Sequence, residues 1–409
     1  MDKGKYLYED IEECRRRFFD DLGRDGEWFG HLLETVRTIN LRTKHKVTDV
    51  LIMENSTVRV ANVKSYVPLY EFKHKPTREE IIHIARAFGR YDDMREEDRK
   101  IDDFSIHVAG LGAYRINFSK DSDGVGMTMR VLSFNVPKLE DIPYPDFYKK
   151  WFKSLMAKET IEIGGGDSRR KIDVGYVKEG GLIVHVGPTG SGKTTSMAAE
   201  INYLAEEGNG HIITYENPIE YRFGNETRAP VRQYEIGVNV KDFDEIVRHL
   251  TRNNPNVALV GEIREKHEIR AAVELASKGH LIFATLHANN AMEALTVLHT
   301  HFKDEPHMLA STLKAIVAHR LFSMEEAGFV PLYEFMMVDT PAIRSRLVSS
   351  SKDRNPLKEI QTEGYVNMSM REIMPFKGYV DYMTMRKKIP SNVSARIKAL
   401  LNKEMHLSI

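Results

Sequence analysis

The sequence predicts an α/β protein with a mostly parallel sheet, preceded by a smaller α+β region. Three observations carry that expectation. From residue 181 onward short apolar runs alternate with helical patterns, as they do when helices cover a parallel sheet. The first of those runs ends in a glycine-rich turn, GPTGSGKTT at 187–195. Before residue 135 helical patterns and turn-separated strands mix without such alternation.

In the first region, 9–22 and 28–39 read as amphipathic helices. Trp28, Leu32, Val36 and Ile39 form one apolar stripe, which is expected to pack on its own domain. Between Thr48 and Leu69 the runs DVLIM, TVRVA and SYVPLY are strands split by turns. Thr77 and Glu80 form a capping box ahead of the helix IIHIARAF. The charged stretch 91–103 reads as a solvated loop. FSIHVAG and GAYRINFS are strands, and the turn SKDSDG leads to a third, GMTMRVLSF.

Residues 135–146 contain three prolines and no helical period, which predicts a linker. It divides an N-terminal domain, 1–134, from a C-terminal domain, 147–409. A helix over Phe147–Lys158 and a polar, glycine-rich segment come next. Leu182–Val186 is then a buried strand and Thr195–Leu204 a helix. IITYE, a β-rich stretch to Val240, a helix from Phe243, VALVGE, a helix from Lys266 and LIFATLH continue the alternation. Residues 350–385 give no assignment. The tail from Arg386 has six Lys/Arg against Glu404 alone and ends in a helix near Asn392–His406.

Composition excludes several classes. The 409 residues carry zero formal net charge, which speaks against a dedicated nucleic-acid binder. Cys14 is the only cysteine, so an intrachain disulfide or a four-thiolate zinc site is out, and a reducing compartment suits it. No apolar run approaches the roughly 18–20 residues of a membrane span. The opening MDKGKYLYEDIEE has acids where a secretion signal needs an apolar core. The expectation is a cytoplasmic protein that meets a membrane only through partners.

The chemistry concentrates at 187–195. Gly187, Gly192, Lys193 and Thr194 fit the phosphate-loop pattern, with Pro188, Thr189, Gly190, Ser191 and Thr195 completing the cradle. Such a loop converges backbone N–H groups on phosphate oxygens at a helix N-terminus. Lys193 would reach the β- and γ-phosphates of ATP and the Thr194 hydroxyl would hold Mg²⁺. Carboxylates are also needed, for the metal and for the attacking water. VALVGE delivers Glu262 to the sheet edge, and TYENPIEY offers Glu216 and Glu220. His280 and His287 flank the strand LIFATL and, seven apart, cannot both follow its two-residue period onto one face.

The order GPTGSGKTT, TYENPIEY, VALVGEIRE, SKGHLIFATLHANN resembles the Walker A, Asp-box, Walker B and His-box series of the type II/type IV secretion and pilus ATPase superfamily. The likeness covers roughly residues 28–350. It is nearest the PilT-like retraction ATPases and the related DotB/TraJ ATPases of type IVB secretion and conjugation. TDVLIMENSTVRVANVKSYVPL resembles the first strands of that family's PAS-like domain, and DTPAIRSRLV its AIRNLIRE segment. The resemblance implies a RecA-like P-loop core behind a PAS-like N-terminal domain. It implies Glu262 on the metal side and Glu220 as general base or water-positioning residue, supported by Glu216. His280 would contact the γ-phosphate region, with His287 as a coupler beside the nucleotide. GLGAYRINF and GMTMRVL resemble segments that supply arginines, pointing to Arg115 and Arg130. Asn217 stands where the family usually has Asp.

The resulting expectation is a homohexameric ring ATPase at the inner face of the cytoplasmic membrane. Its partners would be an inner-membrane platform or secretion-system core proteins. A P-loop kinase would need an arginine-rich lid, which the sequence lacks. A DNA-translocating ATPase would need a basic stripe, and none is present.

Overall fold

The computed structural model describes residues 11–42, 47–61, 65–88, 101–108, 111–132, 136–163, 170–224, 227–324, 328–348 and 373–406. The start of the first predicted helix, residues 91–100 of the charged stretch and 350–372 lie outside them. The chain divides into two compact units. One comprises Met1–Asn135 with Pro218–Arg222; the other comprises Val136–Asn217 with Phe223–Ile409.

The first unit is an antiparallel sheet with helices α1 (Ile11–Arg42) and α2 (Arg78–Phe88). The two N-terminal helices expected from the sequence lie either side of a kink at Gly23, whose φ of 58° no interior helical residue adopts. The stripe Trp28, Leu32, Val36 is buried, as are Phe18, Leu22 and Phe29. In α2 the spacing of Ile81, Ile84, Ala85 and Phe88 puts all four in the core. Its capping box forms as read: Thr77 N donates to Glu80 at 2.7 Å and Glu80 N to the Thr77 hydroxyl at 3.3 Å.

The strands are β1 (Asp49–Met53), β2 (Arg59–Ala61), β3 (Tyr66–Pro68), β4 (Ile101–Val108), β5 (Gly112–Asp121) and β6 (Gly124–Leu132). Their order in the sheet is β3-β2-β1-β6-β5-β4. The charged stretch thus yields to strand at Ile101, where pairing of Ile101–Asp103 with Asn117–Ser119 outweighs local polarity.

The second unit is built on an eight-stranded sheet of order β11-β10-β12-β13-β9-β14-β15-β16. Its parallel part comprises β9 (Gly181–Val186), β10 (Ile212–Glu216), β11 (Val231–Glu235), β12 (Val257–Glu262), β13 (Leu281–Leu286) and β14 (Leu313–Met324). All six residues of β9 and of β13 are buried, the pattern of strands covered on both faces. The crossing helices are α4 (Lys193–Glu207), α5 (Phe243–Asn253), α6 (Lys266–Ser277), α7 (Ala291–His301) and α8 (Pro306–Thr312). β15 (Gly328–Met337) and β16 (Ile373–Met374) extend the sheet antiparallel. Pro331 lies in a stretch of β15 that β16 leaves uncovered among the described residues, since β16 pairs with Phe335 and Met336, and proline is tolerated at such edges. The chain closes with α9 (Pro341–Val348), α10 (Phe376–Met385) and α11 (Ser391–His406).

Two expectations are corrected here. The helix read over Phe147–Lys158 is α3, Asp146–Ser154. From Met156 the chain enters a hairpin, β7 (Met156–Ile163) with β8 (Arg170–Val177), in what read as a polar segment. The cross-strand pair Ile161–Ile172 supplies the β preference that polarity masked. In addition, residues 136–146 do not stand free. Leu139, Ile142 and Tyr144 belong to the core of the second unit, and Tyr379 donates to the Pro143 carbonyl at 2.7 Å. No helix among the described residues is long and apolar enough to cross a membrane.

Candidate active site

The parallel strands all point the same way, so whatever follows their carboxyl ends shares one edge. β9 runs into the phosphate loop, β13 ends one residue before His287, β12 ends in Glu262 and β10 in Glu216. In the sheet these strands are adjacent in the order β10-β12-β13-β9, spaced by about 4.8 Å.

The loop is shaped by backbone that other residues cannot supply. Gly187, Gly190 and Gly192 have φ of 140°, 76° and 93°. A Cβ on Gly187 would sit 2.4 Å from the carbonyl oxygen of His319 in the neighbouring β14, so this glycine is fixed by close approach as well as by φ. Gly192 caps α4 with no side-chain bond to its first turn. The loop thus delivers Lys193, Thr194 and Thr195 to the first turn of α4, where an anion meets the positive end of the helix dipole. Lys193 Nζ donates to the carbonyls of Gly187 and Pro188 at 2.7 and 3.0 Å, which holds the ammonium over the loop.

Glu262 is re-aimed by an irregularity. The pairing of β12 with β13 shifts between Leu259 and Glu262, and Gly261 in that step has φ 67°, as in a glycine bulge. The carboxylate consequently lies between two side chains: Arg264 donates to it at 2.5 Å, and His287 Nε2 contacts the other oxygen. Glu216 is buried and accepts from the Thr214 hydroxyl at 2.6 Å and from Gln233 at 3.2 Å, so its oxygen is already engaged within the sheet.

His280 is not where it was expected. Gly181 N bonds to its carbonyl at 3.0 Å, which sets it level with the first residue of β9, at the amino edge. Its Nδ1 faces the Pro255 carbonyl at 2.6 Å. The six residues of β13 span about 20 Å, so His280 cannot reach the γ-phosphate region. His287 occupies the chemical edge instead. The two histidines flank one strand and only the one after it shares the loop's edge.

The remaining residues belong to the first unit. Glu220 lies in Pro218–Arg222, a short segment between β10 and β11 that groups with that unit. Arg115 and Arg130 are directly opposed across β5 and β6, both exposed. Arg130 Nε pairs with Asp49 at 3.1 Å. Opposed like charges cost stability on a sheet unless compensated, and Asp49 compensates one of the two.

Beneath the loop lies a polar group that the sequence did not reveal. His185 in β9, His319 in β14 and Glu200 in α4 are fully buried and hydrogen-bonded to one another. Burial, with His185 and Lys193 close by, holds His319 well below the ordinary imidazole range. In the unfolded chain that ring takes a proton near pH ~6.5. Acidification through this value therefore favours the unfolded chain, which binds more protons. The unfolding temperature is expected to fall as pH drops below about 6.5, and less steeply in His319→Gln; equal slopes in thermal melts of the two would contradict the assignment.

A phosphate loop on the carboxyl edge of a parallel sheet, with an acid and a histidine delivered by the next strands, defines a RecA-like P-loop ATPase. The comparisons with known proteins agree. The family described as "Type II/IV secretion system protein" matches residues 163–352. The type IV pilus retraction ATPase PilT of Pseudomonas aeruginosa is 31% identical over 320 residues, 76% of this chain and 83% of its own. The uncharacterized protein YggR of Escherichia coli is 31% identical over 271 residues, 65% of this chain and 75% of its own. Among solved structures, the Legionella pneumophila ATPase DotB superposes with a TM-score of 0.70 at 21% identity, covering 91% of this chain and 95% of that one. The pilus retraction motor PilT with bound ADP gives 0.66 at 24% identity, covering 86% and 93%. The chain belongs to the type II/IV secretion and pilus ATPase superfamily.

Proposed function

We propose that this ATPase works as a homohexameric ring that turns ATP hydrolysis into interdomain motion, at the cytoplasmic face of a membrane. The ring would drive a type IV pilus of the retraction kind, or a type IVB secretion or conjugation machine. The observation that carries this reading is the division of the catalytic set between the two units. The loop, Glu262 and His287 lie in one, while Glu220, Arg115 and Arg130 lie in the other. A P-loop enzyme needs both sets around one nucleotide, and a neighbouring copy can supply the arginines. Similarity to the retraction ATPase PilT supports the pilus or secretion setting.

In this reading Lys193 and the loop N–H groups bind the phosphates, and Glu220 positions the attacking water. Thr194 and, through water, Glu262 are hard oxygen donors of the type Mg²⁺ accepts while keeping several waters. Bound there, the ion would neutralise phosphate charge. The two units would swivel where the chain passes from one to the other near residue 135. Partners would be an inner-membrane platform or secretion-system core proteins, with no dedicated nucleic-acid site. Glu220→Gln is expected to keep nucleotide affinity while turnover falls by about 10²-fold or more, the scale of a lost general base. Equilibrium nucleotide binding and single-turnover hydrolysis on the same preparation check this. Full hydrolysis by the variant would remove Glu220 from the role.

A further inference from the structure

Four side chains from four elements meet under the phosphate loop in single file. Tyr148 of α3 donates to Glu200 Oε1 at 2.9 Å. Glu200 Oε2 faces His185 Nε2 at 2.9 Å, and His185 Nδ1 faces His319 Nε2 at 2.9 Å. All four are fully buried. His319 Nδ1, at the loop end, has no hydrogen-bond partner among the described residues. The carbonyl of the same His319 is what Gly187 packs against.

The direction of the hydrogen bonds follows from proton accounting. A carboxylate only accepts, so an ionised Glu200 takes one hydrogen bond from the Tyr148 hydroxyl and another from the single N–H of a neutral His185 ring. His185 then donates from Nε2, which makes its Nδ1 an acceptor. His319 fills that acceptor with its Nε2–H, and its own Nδ1 is left as a lone pair. A buried lone pair without a partner is more tolerable than a buried N–H without one. Burial, with His185 and Lys193 close by, disfavours the charged ring, so His319 carries one proton, and with Nε2 as the donor its Nδ1 is the lone pair.

We propose that the chain His319–His185–Glu200–Tyr148 is a positioning device for the phosphate loop, its hydrogen-bond polarity presenting a lone pair, not an N–H, beneath Lys193. The proposal rests on nucleotide binding at this loop. None of the four residues touches the phosphates; they set the height and charge of the floor on which Gly187 and Lys193 rest. Tyr148, at the far end, stacks edge-on to Tyr144 at 4.8 Å, in the segment that enters the second unit. The device therefore ties the loop to that segment.

Polarity, unlike packing, can be reversed without loss of volume. In Glu200→Gln the amide still accepts from Tyr148 and now donates to His185 Nε2. His185 must then donate from Nδ1 to His319 Nε2, and His319 must present an N–H at the loop end. The number of bonds is unchanged, so a merely structural role predicts no effect. The full-length variant is expected to melt close to the wild type yet bind ADP and a non-hydrolysable ATP analogue roughly tenfold or more weakly, the scale of one mispaired buried polar group. His319→Leu should show a similar loss, and adding Glu200→Gln to it should cost little more, because the ring at the loop end is no longer there to be reversed. His319→Gln, which can donate to His185 and turn its oxygen to the loop, should restore most of the affinity.

A folded Glu200→Gln with wild-type affinity and kcat/KM would overturn the proposal. So would equal losses in His319→Gln and His319→Leu, a pair that decides the matter alone should Glu200→Gln fail to fold. Lys193→Ala run alongside separates the two levels. If it binds nucleotide as the wild type does, the loop reading itself fails; if it does not, the outcome bears on the positioning chain.

Discussion

Replacing Lys193 with alanine is expected to reduce ATP turnover by about 10³-fold or more, from the size of losses when one preorganised donor to developing phosphate charge is removed. The ammonium sits over the loop through the carbonyls of Gly187 and Pro188, two residues whose backbone also shapes the cradle. A phosphate arriving there exchanges neutral acceptors for anionic ones, and charge-assisted bonds of that kind are roughly twice as strong. Alanine removes the charge and leaves α4 intact, because Lys193 lies at the helix start and the first backbone bond, Ser196 N to Gly192 O at 3.1 Å, does not use its side chain. Unchanged circular dichroism with abolished phosphate release is the expected pair of results. Retained hydrolysis would mean that the loop is a structural turn.

The second large effect concerns the arginines. Arg115→Ala is expected to lower turnover by about 10³-fold or more, within the range found for an arginine placed on the transferring phosphoryl group. Arg115 and Arg130 share one exposed face, directly opposed on neighbouring strands. Asp49 takes up Arg130, whereas Arg115 makes no ion pair among the described residues. Of the two, Arg115 is thus the one available to an anion. If it acts across a subunit boundary, mixing Arg115→Ala subunits with Lys193→Ala subunits should recover activity, since some boundaries then pair an intact loop with an intact arginine. Inert mixtures at every ratio would place the arginine within its own subunit, or outside the reaction.

Much of the fold was legible because its signals are local. The capping box at Thr77 and Glu80, the stripe on α1, and the apolar runs that became β9, β12 and β13 each lie within a dozen residues. The phosphate loop was legible for the same reason, since its glycines, lysine and threonine are contiguous. What escaped depends on pairing at a distance. β14 and β15 join the sheet through register with β9 and with each other, and the β7–β8 hairpin hides its β-branched pairs among charges. The buried histidines escaped with them: His185 and His319 are 134 residues apart, and nothing marks His319 until β14 is laid beside the loop. His280 failed for a geometric reason. A motif spelled as one string spans both ends of a strand, and only one end shares the edge of the phosphate loop.

In the proposed assembly one catalytic set is completed by two copies of this chain arranged in a ring. Native mass spectrometry of the full-length protein, with and without a non-hydrolysable ATP analogue, tests it most directly. The expected result with the analogue is a species of six subunits, each of 47.0 kDa, holding bound nucleotide. A monomer that hydrolyses ATP at an undiminished rate upon dilution, and shows no larger species with the analogue, would rule out a site shared between copies.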